Sequence, residues 1–267
     1  MQKVILYFVI ISGLIGLSGC AGSGSRTPPP ETAQRFLKLR GYEFDEQNFF
    51  AAAQARDMMA INAFLDAGIN ANAQDADGRT VLISAAARGD LDTVNVLLTR
   101  GADPNVKDKR GYTALSHATE AMYEEVVDAL LNRPNLDTNS RGLNGRPVLL
   151  AYVWRDNKER VEKLLAHGAD VSAQDADGDT ALHGAAKSGN VEIMRLLLDK
   201  GANPNAANRQ GGTPLMWTAV FGHEEAARLL LSRGADASLK DNDGVTAAEW
   251  AARNNRGNVR LLLKSKG

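Results

Sequence analysis

Four glycines, Gly145, Gly178, Gly211 and Gly244, follow one another at intervals of 33 residues, and Gly168, Gly201, Gly234 and Gly267 keep the same interval. A fixed period of this size means that one small unit is repeated along the chain. A unit this short cannot bury its own apolar stripe, so it must stack on its neighbours and spread the core along a line. The residues of one unit say how. Gly78 and its equivalents suit a turn that needs positive φ. The small pair Ala85-Ala86 lets a short first helix pack closely on the next. Asp90, Asn157 and Asn190 stand where a second helix needs an N-cap. Leu91, Val94, Leu97 and Leu98 form an apolar stripe at helical spacing, and Gly101 fits the left-handed stop after it.

The best-preserved unit runs from Asp175 to Asn205, with Gly178, Thr180, Leu182, His183, Ala185, Ala186, Gly189, Asn190, Leu197, Leu198, Gly201, Ala202 and Asn203 between them. It resembles one ankyrin repeat from end to end. The resemblance implies an all-α solenoid of about seven repeats, each a pair of helices with a β-turn finger, behind an N-terminal helical cap. The expected organisation is a lipoprotein signal peptide at 1–19, a flexible tether at 20–30, the cap at 31–44 and ankyrin repeats at 45–267. In the cap, Phe36, Leu37 and Leu39 have helical spacing and Gly41 is the stop. Tyr42, Phe44, Phe49 and Phe50 follow as a cover for the open end of the stack, with a peptide-binding site as the alternative reading.

The repeats are not equal. Repeats two, five and six are regular, and Thr213-Pro214-Leu215 is the nearest match to the family's Thr-Pro-Leu. Repeat one has Arg56 where its inner glycine belongs. Repeat three has Met122 at that place and one extra residue near Arg133–Asp137. Repeat four has Pro147 for the turn Thr, Tyr152 for a small Ala and Asp156 for the glycine.

The first residues decide the expected location. Lys3 gives a positive start, Val4 to Leu17 is apolar but shorter than a membrane-spanning helix needs, and Leu17-Ser18-Gly19-Cys20 closes the segment. That ending resembles the bacterial lipobox, in which the cysteine is acylated and becomes the first mature residue. An ordinary signal peptide with an incidental cysteine is the plainer alternative. Cys20 is the single cysteine, so the fold has no internal disulfide to rest on. Acyl chains on Cys20 would hold the protein on a membrane without crossing it. Ala21 after the cysteine implies, by the same resemblance, the outer membrane facing the periplasm. The Gly/Ser and proline run from Gly22 to Pro30 reads as the tether.

Composition excludes more than it proposes. The formal net charge is −1, and removing Lys3 with the signal lowers it by one unit. Such a chain has no global attraction for nucleic acid. Among His117, His167, His183 and His223 no two have metal-binding helix spacing. His183 matches the family's structural histidine, which bonds neighbouring turns. The row Arg100, Arg133, His167, Lys200, Arg233 and Lys266 falls in last helical turns, where cations suit the helix dipole; a basic strip is the alternative. Asp175-Ala176-Asp177-Gly178-Asp179 looks like part of a calcium loop, but the further ligands and closing Glu are absent. No catalytic triad, P-loop or dinucleotide fingerprint is present, so no enzyme, cofactor or metal is expected.

What the family resemblance leaves is a binding surface made of turn tips and the concave face of the first helices. Carried over position by position, it falls on Lys109, Arg110, Tyr112, Arg146, Trp154, Arg155, Val220 and Phe221. Aromatic and arginine side chains on a groove are typical hot-spot material. Local packing of Trp154 under Tyr152 is the plainer reading there, and Trp217 and Trp250 read as part-buried core. The expected protein is a monomeric, lipid-anchored, non-enzymatic partner of another protein in the bacterial cell envelope. Inhibition of an envelope or secreted enzyme, as by an immunity partner, is the first expectation. A scaffold for a periplasmic enzyme such as an oxidative-defence catalase is the second.

Overall fold

The computed structural model describes residues 29–264; Cys20, the leader, most of the tether and Gly267 lie outside them. The described residues form fifteen α-helices and no strands, paired by isolated bridges only at Arg141–Pro147 and Lys240–Thr246. Two compact units divide the chain, one ending at Lys109 and one beginning at Arg110.

In the first unit α1 (Pro30–Leu39) packs on α3 (Met58–Asp66), and α2 (Glu46–Gln54) packs on α3 and α4 (Val81–Ala86). Pro30 opens α1 rather than ending an extended tether, a position where its missing N–H costs nothing. Tyr42, Phe44 and Phe49 gather on the fully buried Phe64, with ring centroids 6.0, 6.2 and 5.5 Å away. Phe49 is buried there, Tyr42 is part-buried, and Phe44 packs one face on Phe64 while staying 37% exposed. In the finger before α4, Asp75 accepts hydrogen bonds from the N–H groups of Asp77 and Arg79, both at 2.9 Å. Gly78 has φ 76°, and a Cβ there would stand 2.9 Å from the Lys109 nitrogen. The bare glycine lets Lys109 N–H reach the Asp77 carbonyl at 3.0 Å, joining one finger to the next. Asp90 caps α5 (Leu91–Thr99), as expected.

The second unit repeats the same pairing: α6 (Ala114–Glu120) with α7 (Glu124–Leu131), α8 (Val148–Trp154) with α9 (Lys158–Ala166), and α10 (Ala181–Ser188) with α11 (Val191–Asp199). The pairs α12 (Pro214–Phe221) with α13 (Glu224–Ser232) and α14 (Ala247–Arg253) with α15 (Gly257–Lys264) complete it. The first helices α6, α8, α10, α12 and α14 pack in sequence, and their fingers are joined by Arg209 N–H to Asp177 O and Asn242 N–H to Gln210 O, both 3.0 Å. His183 is 1% exposed and bonds turns as the family's structural histidine should. Its Nδ1 accepts from Thr180 N–H at 3.1 Å, and its Nε2–H donates to the Gly212 carbonyl at 3.0 Å in the next repeat. Burial holds its pKa below the ordinary imidazole value.

The turn between the two helices of a unit needs a left-handed residue in every repeat. Gly189 and Gly222 supply it freely, but Arg56, Met122, Asp156 and Asn255 adopt it with side chains, at φ 53° to 60°. The choice follows what the next repeat places over the turn. His223 lies so close to Gly189 that an added Cβ would meet its ring at 2.5 Å, and Arg256 meets Gly222 in the same way at 2.7 Å. These long side chains clasp the preceding repeat, His223 on the Lys187 carbonyl and Arg256 on the Val220 carbonyl, both at 3.1 Å. Where the turn residue carries a side chain, it meets a short capping residue of the next repeat instead: Arg56 meets Asp90 at 3.6 Å, and Asn190 donates to Asp156.

Repeats three and four are joined by charge. Arg160, only 7% exposed, donates through Nε to Glu124 at 2.7 Å and through Nη2 to Asp128 at 2.8 Å. Lys163 adds a contact to Asp128 at 3.1 Å. The hydrogen bond from Arg160 holds the Asp128 carboxyl down at about 2. Tyr152, which replaces a small alanine, is fully buried, and its hydroxyl reaches Glu124 at 3.3 Å. Burial and the Glu124 charge push its pKa up to about 12.

Candidate interaction face

The first helix of each repeat carries two positions on its inner side, the fourth and seventh residues after its cap; at the fourth, Ala151 and Gly184 are buried and the larger side chains are part-exposed. In the second unit the fourth positions are His117, Ala151, Gly184, Trp217 and Trp250; the seventh are Glu120, Trp154, Lys187, Val220 and Arg253. Trp154 is 45% exposed. Its indole leans onto the next repeat, where a Cβ on Gly184 would stand 2.7 Å from Cδ1, so only a glycine there leaves room. The Arg146 guanidinium covers the ring at 4.1 Å from its centroid. That contact is a cation–π pair which holds both groups in place before any partner arrives.

The remaining expected residues divide. Arg110 lies over Tyr112 at 4.7 Å and donates to its hydroxyl at 3.3 Å, while Tyr112 meets His117 edge-on at 5.3 Å. Phe221, 38% exposed, stacks on Trp217 and on His223, each at 6.1 Å. Val220 stands beside them on α12. Arg155 is used inside the stack: it donates to the Thr119 carbonyl of the preceding repeat at 2.8 Å and lies over Tyr152 at 5.5 Å. Arg88, at the same repeat position in the first unit, makes the same bond to Ala53 at 3.1 Å. Lys109 belongs to the first unit, where its side chain is exposed and its backbone joins two fingers.

Two residues read as part-buried core keep that burial and also have an open side. Trp217 and Trp250 are part-buried, and both line an open cavity of about 370 Å³ between repeats six and seven. Asn208, Gln210 and Gly212 from one finger, Asp241 and Asp243 from the next, and Met216 and Val220 from α12 complete the lining. Trp250 Nε1–H donates to Asp241 at 2.7 Å, which fixes that indole. Lys187 and Arg253 lie over the Trp217 and Trp250 rings, each at 5.5 Å, but neither lines the cavity. The register could have shown this. Repeat five has glycine at the fourth position and repeat four has alanine, so the core does not need a large ring there.

Among the described residues no cluster of His, Cys, Asp and Glu could hold a metal ion. In the calcium-like stretch, Asp175 spends an oxygen on the N–H groups of Asp177 and Asp179 at 2.9 and 3.0 Å, as a turn does. In the row of last-turn cations, Arg100 is paired with Asp66 and Arg233 with Asp199 at 2.7 Å, while Lys266 lies outside the described residues. Among the described residues no helix is long and apolar enough to cross a membrane.

Known proteins place this geometry. The family model for ankyrin repeats (3 copies) matches residues 49–142, 148–241 and 207–267. An ankyrin repeat-containing protein of Treponema pallidum (strain Nichols) is 34% identical over 150 residues, covering 56% of this chain and 50% of that protein. The chain thus spans half the length of that curated relative. Among solved structures, an ankyrin repeat domain from Acinetobacter baumannii AYE superposes with a TM-score of 0.64 at 29% identity, covering 70% of this chain and 97% of its own. The ankyrin repeat domain of Bcl-3, a member of the IkappaB protein family, gives 0.66 at 30% identity, covering 81% and 97%. Repeat period, helix pairing, the turn-bonding histidine and the family model agree: this chain belongs to the ankyrin repeat family.

Proposed function

We propose that the protein binds another protein through the inner face of its second unit, and does so as a lipid-anchored component of the bacterial cell envelope. The observation that carries the binding face is Trp154. It is a large aromatic ring, half exposed, already ordered by Arg146 and by the space over Gly184. An ordered aromatic beside arginine loses little entropy on binding, which is what a hot spot requires. Arg110 with Tyr112, and Phe221 with Val220, extend the face on either side. The sequence alone supports the envelope location, through the lipobox-like ending at Cys20. The same location supports an inhibitor or immunity role toward an envelope or secreted enzyme, because a tethered binding module can meet such an enzyme within the envelope.

Crosslinking in cells from a photoreactive residue at position 154, followed by identification of the captured protein, tests the face. Trp154→Ala should weaken that partner by about 2 kcal/mol or more without changing the helical spectrum. Unchanged affinity moves the interface elsewhere. Cys20→Ser should release the protein into the soluble fraction; a variant still membrane-bound after signal cleavage rejects the lipid anchor.

A further inference from the structure

The cavity between repeats six and seven has a chemistry of its own. Its walls are two indoles, Trp217 and Trp250, with Met216 and Val220. Its charged lining groups are Asp241 and Asp243, and no lysine or arginine lines it. Asp241 is already engaged, by Trp250 Nε1–H at 2.7 Å and by the N–H groups of Val245 and Asp243 at 2.8 and 3.1 Å. It therefore orients an indole and adds negative potential. Asp243 is exposed on the same finger. Trp217 Nε1 is buried and has no hydrogen-bond partner, an arrangement that carries a penalty a phenylalanine would avoid. A tryptophan kept there in spite of the penalty offers its wide ring face.

We infer that this cavity receives an arginine side chain from the bound protein. The inference rests on the reading of the inner face as a protein-binding surface, and it adds the residue that surface selects. An arginine stem is apolar and packs on Met216, Val220 and the indoles. Its planar head stacks on an indole face and forks onto a carboxylate, which neither a lysine nor an apolar residue does equally well. An acidic side chain is repelled by Asp241 and Asp243. Lys187 and Arg253 lie over the same two indoles, each at 5.5 Å, so the guest must stack on ring faces they leave open.

The three tryptophans give three indole N–H resonances, assignable with single Trp→Phe variants. The protein is titrated with a blocked glycine pentapeptide carrying one central arginine, and with its citrulline and leucine counterparts, each to about 10 mM, the range in which a single side chain binds. The arginine peptide should shift the Trp217 and Trp250 signals saturably and leave Trp154 in place. The citrulline peptide, neutral and of the same shape, should bind at least about tenfold more weakly. Asp243→Asn should lose the same factor while its melting temperature stays unchanged. Equal binding of the citrulline or leucine peptide, or no shift with arginine, overturns the inference. If a partner still crosslinks at position 154, that failure leaves the wider binding face standing; crosslinks that map off the inner face reject both.

Discussion

The junction between repeats three and four and the junction between repeats five and six have the same helices and different cement. At the first, Arg160 ties Glu124 and Asp128 together across the outer helices, and Arg155 reaches back to the Thr119 carbonyl. The left-handed turns there are Met122 and Asp156. At the second, Ile193, Met194 and Leu197 are fully buried, His183 bonds the next finger, and the turn is Gly189 under His223. The difference teaches that the repeat specifies a backbone path, and that either charge or apolar volume can hold it. It also relocates the meaning of the irregular residues. Tyr152 departs from the repeat pattern because it builds the charged junction, whereas Trp154 departs from it at the surface.

The comparison can be broken most forcefully at the apolar junction. Leu197→Ala should cost about 2–5 kcal/mol in chemical denaturation, because it leaves a cavity between stacked helices. A cost below about 1 kcal/mol would mean that this junction does not depend on packing. At the charged junction Arg160→Ala should cost less, about 2 kcal/mol, since Glu124 and Asp128 are partly exposed and water can rescue them. Equal costs at both sites would erase the distinction.

The turns sharpen it further. Gly189→Ala should destabilise by about 1–2 kcal/mol, through the left-handed backbone and the crowding of His223. Met122→Gly, the reverse change at the charged junction, should stabilise by about 0.5 kcal/mol, because released strain exceeds the added freedom of the unfolded chain. If both substitutions destabilise alike, the side chain at position 122 serves a contact of its own.

The smallest effect is the one that pH separates. His183 has its folded pKa below its unfolded value, so its contribution is present above about pH 6.5 and is lost as pH falls below that. Asp128 is also depressed, and its contribution is present above about 3.8 and lost only as pH falls through about 2. Melts between pH 7 and 5 should therefore weaken by less than about 1.4 kcal/mol per unit, and His183→Gln should flatten that slope. An unchanged slope in the variant assigns the loss to another group.

Much of this was legible before any coordinates, because the ankyrin repeat is a local code. Asp90, Asn157 and Asn190 were readable as caps, and His183 as the bond between turns, since each acts within a few residues or one period. The part burial of Trp217 and Trp250 was also readable, but the cavity they line was not. A ring at the fourth helical position is core or groove depending on what the adjoining repeats place beside it, and Gly184 and Ala151 supply that answer only in register. Arg155 escaped for the same reason: its partner is a backbone carbonyl of the preceding repeat, and no side-chain pattern announces a carbonyl.

The sequence by itself determined the period, the helix pairs, their caps and the family, because these follow from short-range backbone chemistry repeated every 33 residues. Only the tertiary structure decided which turns carry a clasp and which a short cap, which arginines bind within the stack and which stand over a ring, and where two indoles open onto a cavity. Those outcomes depend on distances between atoms of different repeats, and such distances exist only once the repeats are stacked.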